Sequence, residues 1–289
     1  MNNARNLYLY QRKGAYIPRV AAVHDMCGYG KCSLGVAIPV LSAAGCDVCP
    51  VPTSLFSAHT KFPTWYMHDT TSMLDDYLDA WAEEGVELDA IYSGFLGAPE
   101  QVGAIKRLYR EHPKALRVVD PVMGDGGVRY ATYTEELCQA MIELVDGADL
   151  LTPNLTEASI ITGIPYEGQN VSDEYVHAML DAIVAKGAKV VVLKGVTRGD
   201  GLIRNYVAGA DVEKAELSGE LLPYMLHGTG DLYASALLAA IMCGRSLYDA
   251  VEFAGREVCD AMRITQQQPD FEVRGVSFEP TLGQVAALL

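Results

Sequence analysis

Short apolar runs typical of β-strands alternate along this chain with longer runs that have the spacing of amphipathic α-helices. A strand, a crossover helix and a second strand form a parallel unit, so the alternation predicts an α/β fold with a mainly parallel central sheet and helices on both faces. Residues 203–217 are predicted to form a hairpin at the sheet edge. The predicted strands are residues 20–23, 47–52, 90–93, 116–119, 149–151 and 190–193. The predicted helices are residues 33–44, 64–84, 99–111, 134–145, 172–186, 228–242, 246–264 and 281–288.

The chain is long and apolar enough to bury one large core. Half of its 289 residues are hydrophobic, which favours a single domain over residues 19–289. Residues 1–18 are polar and aromatic without a clear period. We expect them to form an N-terminal arm that lies on the domain or on a partner subunit.

The charge and the cysteines narrow the function classes. A formal net charge of −15 argues against a nucleic-acid surface, which needs clustered Lys and Arg. A small anionic ligand is still compatible with this negative charge if local N–H groups, a few cations and a metal overcome its repulsion by the whole protein. The seven scattered cysteines are typical of free thiols in a reducing compartment. No run reaches the ~18 apolar residues of a membrane span, so we expect a cytoplasmic protein with no membrane contact.

The segment from Gly228 to Asp231 carries the strongest chemical signal. Gly228 and Gly230 flank Thr229, and an apolar helical run begins at once. Amide N–H groups at a helix start attract anions, and the glycines leave room for a phosphate to approach them. A carboxylate there would repel a bound phosphate. Asp231 is therefore either a helix cap or the base that takes a proton from an attacking hydroxyl.

Acidic and amide side chains also follow two predicted strands. Asp120 and Asp125 follow the strand over residues 116–119, where they suit a divalent metal and phosphates, or a turn that simply bonds backbone N–H groups. Asn154 and Glu157 lie three apart at a predicted helix start after the next strand, so they can face one site or cap the helix. Ligands bind at such strand ends in open α/β sheets.

Three further residues follow strands in the same way. Lys194 could neutralise phosphate charge or be a solvated surface lysine. Asp25, in a glycine-containing turn after the first strand, could close over an organic substrate. Thr60 follows the second strand beside His59, where loop hydrogen bonding is the alternative.

Taken together, these residues resemble the ribokinase-like superfamily and, within it, the pyridoxal/pyridoxamine kinase group. The similarity runs from about Arg19 to about Gln268. No single motif is specific, and the resemblance depends on their order and spacing. The motifs are Ser93-Gly94-Phe95-Leu96-Gly97 with Glu100-Gln101, the turn from Asp120 to Asp125, Thr152-Pro153-Asn154 with Glu157, and Gly228-Thr229-Gly230-Asp231.

The resemblance implies an ATP-dependent kinase that phosphorylates the 5′-hydroxymethyl group of a vitamin B6 vitamer. It implies that Asp231 is the base and that the amides of Gly228, Thr229, Gly230 and Asp231 form the anion hole. It also implies Mg²⁺ with ATP and a homodimer, with a monovalent cation as a further candidate. The implied ATP-binding residues are Asp120, Thr152, Asn154, Glu157, Lys194 and Thr229; the implied metal ligands are Asp125, Asn154 and Glu157; and the implied substrate contacts are Asp25, Thr60, Phe95 and Asp231.

The chain departs from that group at two positions, so other functions stay open. Asp25 stands where these kinases usually have serine, and Phe95 where many have tyrosine. Asp25 and His227 are similar to residues of hydroxymethylpyrimidine kinases of thiamine synthesis, although that group commonly has cysteine where Asp231 stands. A ligand-sensing relative without turnover is the non-enzymatic alternative, and the intact Asp231 speaks against it.

Overall fold

A computed structural model describes residues 7–289, in which nine strands form one central sheet. The strands of this sheet and of one small hairpin are β1 (Arg19–Cys27), β2 (Asp47–Phe56), β3 (Met67–Asp69), β4 (Ala90–Ser93), β5 (Leu116–Val119), β6 (Gly124–Asp125), β7 (Val128–Arg129), β8 (Leu150–Leu151), β9 (Val190–Thr197), β10 (Leu202–Gly209) and β11 (Val212–Glu220). Their order across the sheet is β11-β10-β9-β8-β5-β4-β1-β2-β3, and β6 pairs only with β7.

The centre of the sheet is parallel and its edges are antiparallel. Each neighbouring pair from β2 to β9 runs parallel, whereas β3, β10 and β11 pair antiparallel. The predicted α/β class, the parallel sheet and the edge hairpin are confirmed. The chain moves from β1 to β2 on one side and to β4 on the other, which makes the carboxyl end of β1 a switch point of the topology.

Helices cover both faces of the sheet. In β9, Val191 and Leu193 point into one apolar core while Val190 and Val192 point into the other, as the two-residue period of a strand requires. Helices α2 to α6 pack on the first core, and α1, α7, α8 and α10 pack on the second. The helices are α1 (Leu34–Ala43), α2 (Leu74–Glu83), α3 (Gln101–Glu111), α4 (Glu135–Ile142), α5 (Leu155–Thr162), α6 (Asp173–Ala185), α7 (Thr229–Met242), α8 (Leu247–Thr265), α9 (Phe271–Arg274) and α10 (Leu282–Ala286).

The predicted helix over residues 64–84 is wrong in its first half. Met67–Asp69 is an edge strand that pairs with β2, and its Asp69 carboxylate accepts the Thr71 amide at 2.7 Å. That bond fixes a turn, and α2 begins only at Leu74. The apolar spacing of residues 64–73 resembles a helical period, but tertiary pairing with β2 overrides it.

Two strands extend further than their apolar runs. β1 continues to Cys27 and β9 to Thr197, so Asp25 and Lys194 lie within strands instead of in the turns after them. The register between β1 and β2 also shifts between His24 and Met26, which is the irregularity that re-aims side chains beside functional sites.

The described part of the N-terminal arm lies on the domain. Leu7, Leu9 and Tyr10 pack against the second core, and the Arg12 guanidinium donates to the carbonyl oxygens of Ala44 and Gly45 at 2.9 and 3.1 Å. Residues 1–6 of the predicted arm lie outside the described residues. The division into an arm and one domain stays a prediction. None of the helices between residues 7 and 289 has the length and apolarity to cross a membrane.

A substitution at Gly94 tests how closely β1 packs against the end of β4. A Cβ atom at Gly94 would lie 2.2 Å from Nδ1 of the buried His24 ring. We expect Gly94→Ala to lower the free energy of unfolding by about 1–3 kcal/mol, the usual cost of overpacking. Chemical denaturation would measure it.

Gly103, exposed in the first turn of α3, is the matched control, because a Cβ there meets nothing within 4 Å. Gly103→Ala should leave the free energy of unfolding unchanged or raise it slightly through helix propensity. Equal stability of the two variants would contradict the packing account.

Candidate active site

A cleft of about 690 Å³ opens at the carboxyl ends of the central strands. It lies at the switch point beside β1, where open α/β sheets bind their ligands. The predicted site residues that line it are Asp25, Thr60, Phe95, Asp120, Asp125, Asn154, Glu157, Lys194, Gly228, Thr229, Gly230 and Asp231. Thr152 does not line the cleft. It is fully buried behind Asp120, and its hydroxyl donates to Asp120 Oδ1 at 2.7 Å.

The segment from Gly228 to Asp231 forms the first turn of α7. Gly228 has φ 79° as the residue before the helix, and a Cβ there would lie 2.0 Å from the Lys31 carbonyl oxygen, so only glycine fits. No side chain caps this helix start, and Asp231 lies inside the first turn. The capping alternative for Asp231 is therefore wrong. The first amides of α7 have no partner within the helix, which leaves them for an anion.

The surroundings of Asp231 favour the protonated form of its carboxyl. Burial raises the pKa of its carboxyl to about 7, and the nearby charges of Asp120 and Asp25 add to the rise. The nearby Ser33 backbone and the Lys194 ammonium act in the opposite direction and lower this pKa. A carboxyl with a pKa near the working pH is suited to accept a proton and release it again.

Asp25 is a second buried carboxyl in the same cleft. Only 5 % of the residue is exposed, and burial raises the pKa of its carboxyl to about 6. The nearby Ser33 side chain opposes that rise in pKa. The carboxylate is thus available for a ligand that brings a hydrogen-bond donor or a positive charge.

An ion pair between Lys194 and Asp120 lines the cleft. Lys194 Nζ contacts Asp120 Oδ1 at 2.5 Å. Burial alone would lower the pKa of Lys194, but the carboxylates of Asp120 and Glu157 outweigh it and raise the pKa. Lys194 is therefore a permanent cation beside the α7 amides, and it is not the solvated surface lysine of the alternative interpretation.

Asn154 and Glu157 form a reciprocal cap at the start of α5. Asn154 Oδ1 accepts the Glu157 amide at 2.9 Å, and Glu157 Oε2 accepts the Asn154 amide at 2.8 Å. Glu157 Oε1 also accepts the Met123 amide at 3.3 Å, so both of its oxygens have backbone donors. Burial raises the pKa of Glu157 to about 8. These contacts favour the capping role of both residues over the metal role.

One part of the cleft, here called the aromatic end, is lined by Phe56, Phe95, His59 and His227. Phe95 packs edge-on against Phe56, with ring centroids 5.7 Å apart. The rings of His59 and His227 lie 4.2 Å apart, and burial lowers the pKa of both, that of His227 to about 3. Neutral imidazoles and phenyl rings form a surface that suits a planar aromatic ligand.

Several lining residues were not predicted from the sequence. Ser33, Phe56 and Tyr130 line the cleft, although none of them was assigned a role in the site from the sequence. A further group extends the cleft along the segment after β11 and along α8, and consists of Leu221, Leu222, Pro223, Tyr224, Val258 and Met262. Among residues 7–289, no three His, Cys, Asp or Glu side chains are placed to hold a metal ion unaided.

Comparison with known proteins identifies the family. The family model described as Phosphomethylpyrimidine kinase matches residues 37–274. The pyridoxine/pyridoxal/pyridoxamine kinase of Bordetella avium (strain 197N) is 32% identical over 279 residues, which cover 92% of this chain and 91% of that protein. Pyridoxal kinase PdxY of Pasteurella multocida (strain Pm70) is 30% identical over 279 residues, which cover 88% and 92%.

A solved structure is similar over nearly the whole fold. It is a Bacteroides thetaiotaomicron VPI-5482 protein provisionally described as a phosphomethylpyrimidine kinase, in an orthorhombic form with pyridoxal. Its TM-score is 0.89 at 32% identity, with 93% of this chain and 96% of that chain covered. The chain belongs to the phosphomethylpyrimidine kinase family. The predicted resemblance to pyridoxal kinases of the ribokinase-like superfamily is confirmed as well.

The reciprocal cap of α5 gives a stability prediction. In Glu157→Gln, one carboxylate oxygen becomes an NH₂ group that faces a backbone N–H, of either Met123 or Asn154. We expect a loss of about 1–3 kcal/mol in the free energy of unfolding without nucleotide. Glu136→Gln, at an exposed position of α4, is the control and should be neutral. A Glu157→Gln protein as stable as wild type, but with a raised Mg²⁺ requirement, would reverse the assignment to the metal role.

Proposed function

We propose that this protein transfers the γ-phosphoryl group of ATP to the 5′-hydroxymethyl group of a vitamin B6 vitamer. The observation that carries the proposal is the Asp231 carboxyl at the start of α7, beside unpartnered helix amides and the Lys194 ammonium. The names of the similar proteins, and the pyridoxal in the related Bacteroides crystal, support the same substrate class.

Asp231 would act as the general base. Its carboxylate accepts the proton of the 5′-hydroxyl as the oxygen attacks phosphorus. The α7 amides and Lys194 stabilise the negative charge on the transferring group, which is the main contribution a protein makes to phosphoryl transfer. The raised pKa favours taking up the proton, and because it is only about 7, Asp231 can still release the proton to solvent near neutral pH.

The two ends of the cleft would divide the substrates between them. The aromatic end, with Phe95, His59 and Asp25, would hold the pyridine ring, and Thr60 lies at its rim. The apolar group formed by the segment after β11 and by α8 would hold the adenine ring, because it is the other apolar part of the cleft lining. Lys194 and Thr229 line the same cleft and would face the ATP phosphates.

Mg²⁺ would neutralise charge on the ATP phosphates. Asp125 is exposed in the cleft, and its free carboxylate oxygen suits a hard cation. Asp120 offers the oxygen that neither Thr152 nor Lys194 uses. The phosphates must supply most ligands, because Asn154 and Glu157 are engaged in their cap. The monovalent cation, the homodimer, cytoplasmic location and absence of nucleic-acid partners stay predictions.

A hydroxymethylpyrimidine kinase is the second candidate. His227 and the family description favour it, whereas the Asp231 base favours a B6 vitamer. One coupled ATP-turnover assay with pyridoxal, pyridoxamine, pyridoxine and hydroxymethylpyrimidine separates them. We expect the highest kcat/KM with a B6 vitamer. No turnover of any of the four would instead indicate the ligand-sensing alternative.

Asp231→Asn removes the base and keeps the shape of the site. We expect kcat to fall by about 10²–10⁴-fold, the usual contribution of a general base, while the affinity for ADP stays near that of wild type. Steady-state kinetics and calorimetric ADP titration measure the two effects. Asp249→Asn, in the first turn of α8 and outside the cleft, is the control and should keep wild-type kcat. Near wild-type kcat in Asp231→Asn would mean that another group takes the proton.

Asp25 is expected to set vitamer preference. A buried carboxylate favours the aminomethyl group of pyridoxamine over the aldehyde of pyridoxal, because a charge-assisted hydrogen bond contributes about 1.5–3 kcal/mol. Asp25→Ser should lower the pyridoxamine-to-pyridoxal ratio of kcat/KM about tenfold or more and leave KM for ATP unchanged. An unchanged ratio would show that Asp25 does not face the variable group of the ring.

A further inference from the structure

Asn205 lies on β10 at an irregularity in the pairing of that strand with β9. The register shifts between Arg204 and Tyr206, so that Lys194 and Gly195 of β9 together face Asn205. Gly195 has φ 82°, the positive φ that glycine supplies in many β-bulges. A bulge interrupts the hydrogen-bond ladder and re-aims side chains, and such bulges occur beside functional sites.

The side chain of Asn205 completes this bulge with only one of its two polar atoms. Its Oδ1 accepts the Gly195 amide at 3.2 Å, which places the NH₂ group on the other branch of the carboxamide. Among residues 7–289, Nδ2 finds no hydrogen-bond acceptor, although only 7 % of the residue is exposed. The bulge needs the oxygen of Asn205 and leaves the NH₂ group without a role of its own.

The NH₂ group of Asn205 lies at the wall of the cleft beside α8. Tyr206 points into the first core and Val207 into the second, so the two-residue period of β10 directs Asn205 to the second face. A Cβ atom at Gly255 of α8 would lie 3.9 Å from Nδ2. Both Asn205 and Gly255 line the cleft. The free donor is therefore within reach of a ligand that binds there.

Asn205 joins the two parts of the cleft that have proposed roles in ATP binding. Its contact Gly195 directly follows Lys194, the cation proposed to face the phosphates. Its neighbour Gly255 lies one turn before Val258, which belongs to the apolar group proposed to hold adenine. In ATP, the ribose connects the phosphates to the adenine. A donor between these two parts faces the ribose, whose hydroxyl oxygens accept hydrogen bonds.

Two other polar side chains that line this part of the cleft have partners. Gln169 accepts the Thr197 amide with Oε1 at 2.9 Å and donates from Nε2 to the Gly195 carbonyl oxygen at 3.5 Å. The Glu220 carboxylate pairs with Arg263. Of the three side chains, Asn205 is the one whose donor is left for a ligand.

We propose that Asn205 determines specificity for the nucleotide, because its NH₂ group donates a hydrogen bond to a ribose hydroxyl of ATP. The inference rests on the proposed kinase function and adds recognition of the sugar to it. A deoxynucleotide that lacks the recognised hydroxyl would cover the NH₂ group without pairing it, and an unpaired donor lowers affinity.

Nucleotides that differ by one hydroxyl test this contact directly. Calorimetric titration gives the affinities of ADP, 2′-deoxy-ADP and 3′-deoxy-ADP for wild-type protein, Asn205→Ala and Asn170→Gly. Steady-state kinetics with the preferred vitamer gives kcat/KM for ATP and the two deoxy-ATP forms. Asn170→Gly is the matched control, because it removes an amide side chain outside the cleft at a positive φ that glycine adopts freely.

We expect wild-type protein and Asn170→Gly to prefer ADP over at least one deoxynucleotide by about three- to tenfold, the range of one neutral hydrogen bond. In Asn205→Ala that preference should fall below about twofold, with the same change in the ratio of kcat/KM. Loss of the Gly195 contact would weaken all three nucleotides alike. A role in the bulge alone would therefore leave the preference unchanged.

Two results would overturn the inference. One is a wild-type protein that binds ADP and both deoxynucleotides equally, which requires no variant. The other is a wild-type preference that Asn205→Ala retains. Failure of the proposed function has a different pattern. If the protein binds ADP with the expected preference but phosphorylates no vitamer and no hydroxymethylpyrimidine, the kinase proposal fails and the sugar contact stands. If it binds no adenine nucleotide, both fail.

Discussion

The architecture of the site depends on how carboxyl groups are buried together at the start of α7. Asp231, Asp25 and Glu157 all have a pKa raised mainly by burial, and all line one cleft. Such a concentration of buried acids in one cleft is stable only because specific cations and donors face them. The Lys194 charge lowers the pKa of Asp231 and Glu157, and the amides of Met123 and Asn154 donate to Glu157. This balance keeps the pKa of Asp231 at about 7, close to neutral pH. A base in phosphoryl transfer needs a pKa in that range.

The sequence carries the parts of the fold that follow from local periodicity. The strands at residues 90–93 and 116–119 were predicted with their observed bounds, because an apolar run of four between turns leaves little choice. The edge strand β3 was missed, since its three residues have no pattern of their own and form only by pairing with β2. Among the site residues, those in ordered motifs such as Gly228 to Asp231 lie in the cleft as predicted. Their catalytic and binding roles stay proposals.

Other features of the site are properties of the folded chain alone. Whether Glu157 faces a metal or caps α5 depends on the Met123 amide, which is remote in sequence. Thr152 supports Asp120 from behind, although a strand-end threonine gives no sign of which way it points. Ser33 reads as an ordinary helix start in the sequence. Its positive φ and its burial directly before α1 appear only in the folded chain.

The measurement that tests the central claim most directly is the pH dependence of kcat/KM for wild-type protein with two vitamers that ionise differently. Asp231 must be ionised to accept the hydroxyl proton, so activity should be lost as pH falls through the raised pKa of this residue, about 7. If kcat/KM falls near that pH with both vitamers, the ionising group belongs to the enzyme, which supports Asp231 as a buried base. A rate that stays constant from about pH 8 down to about pH 5.5 with both vitamers would contradict it.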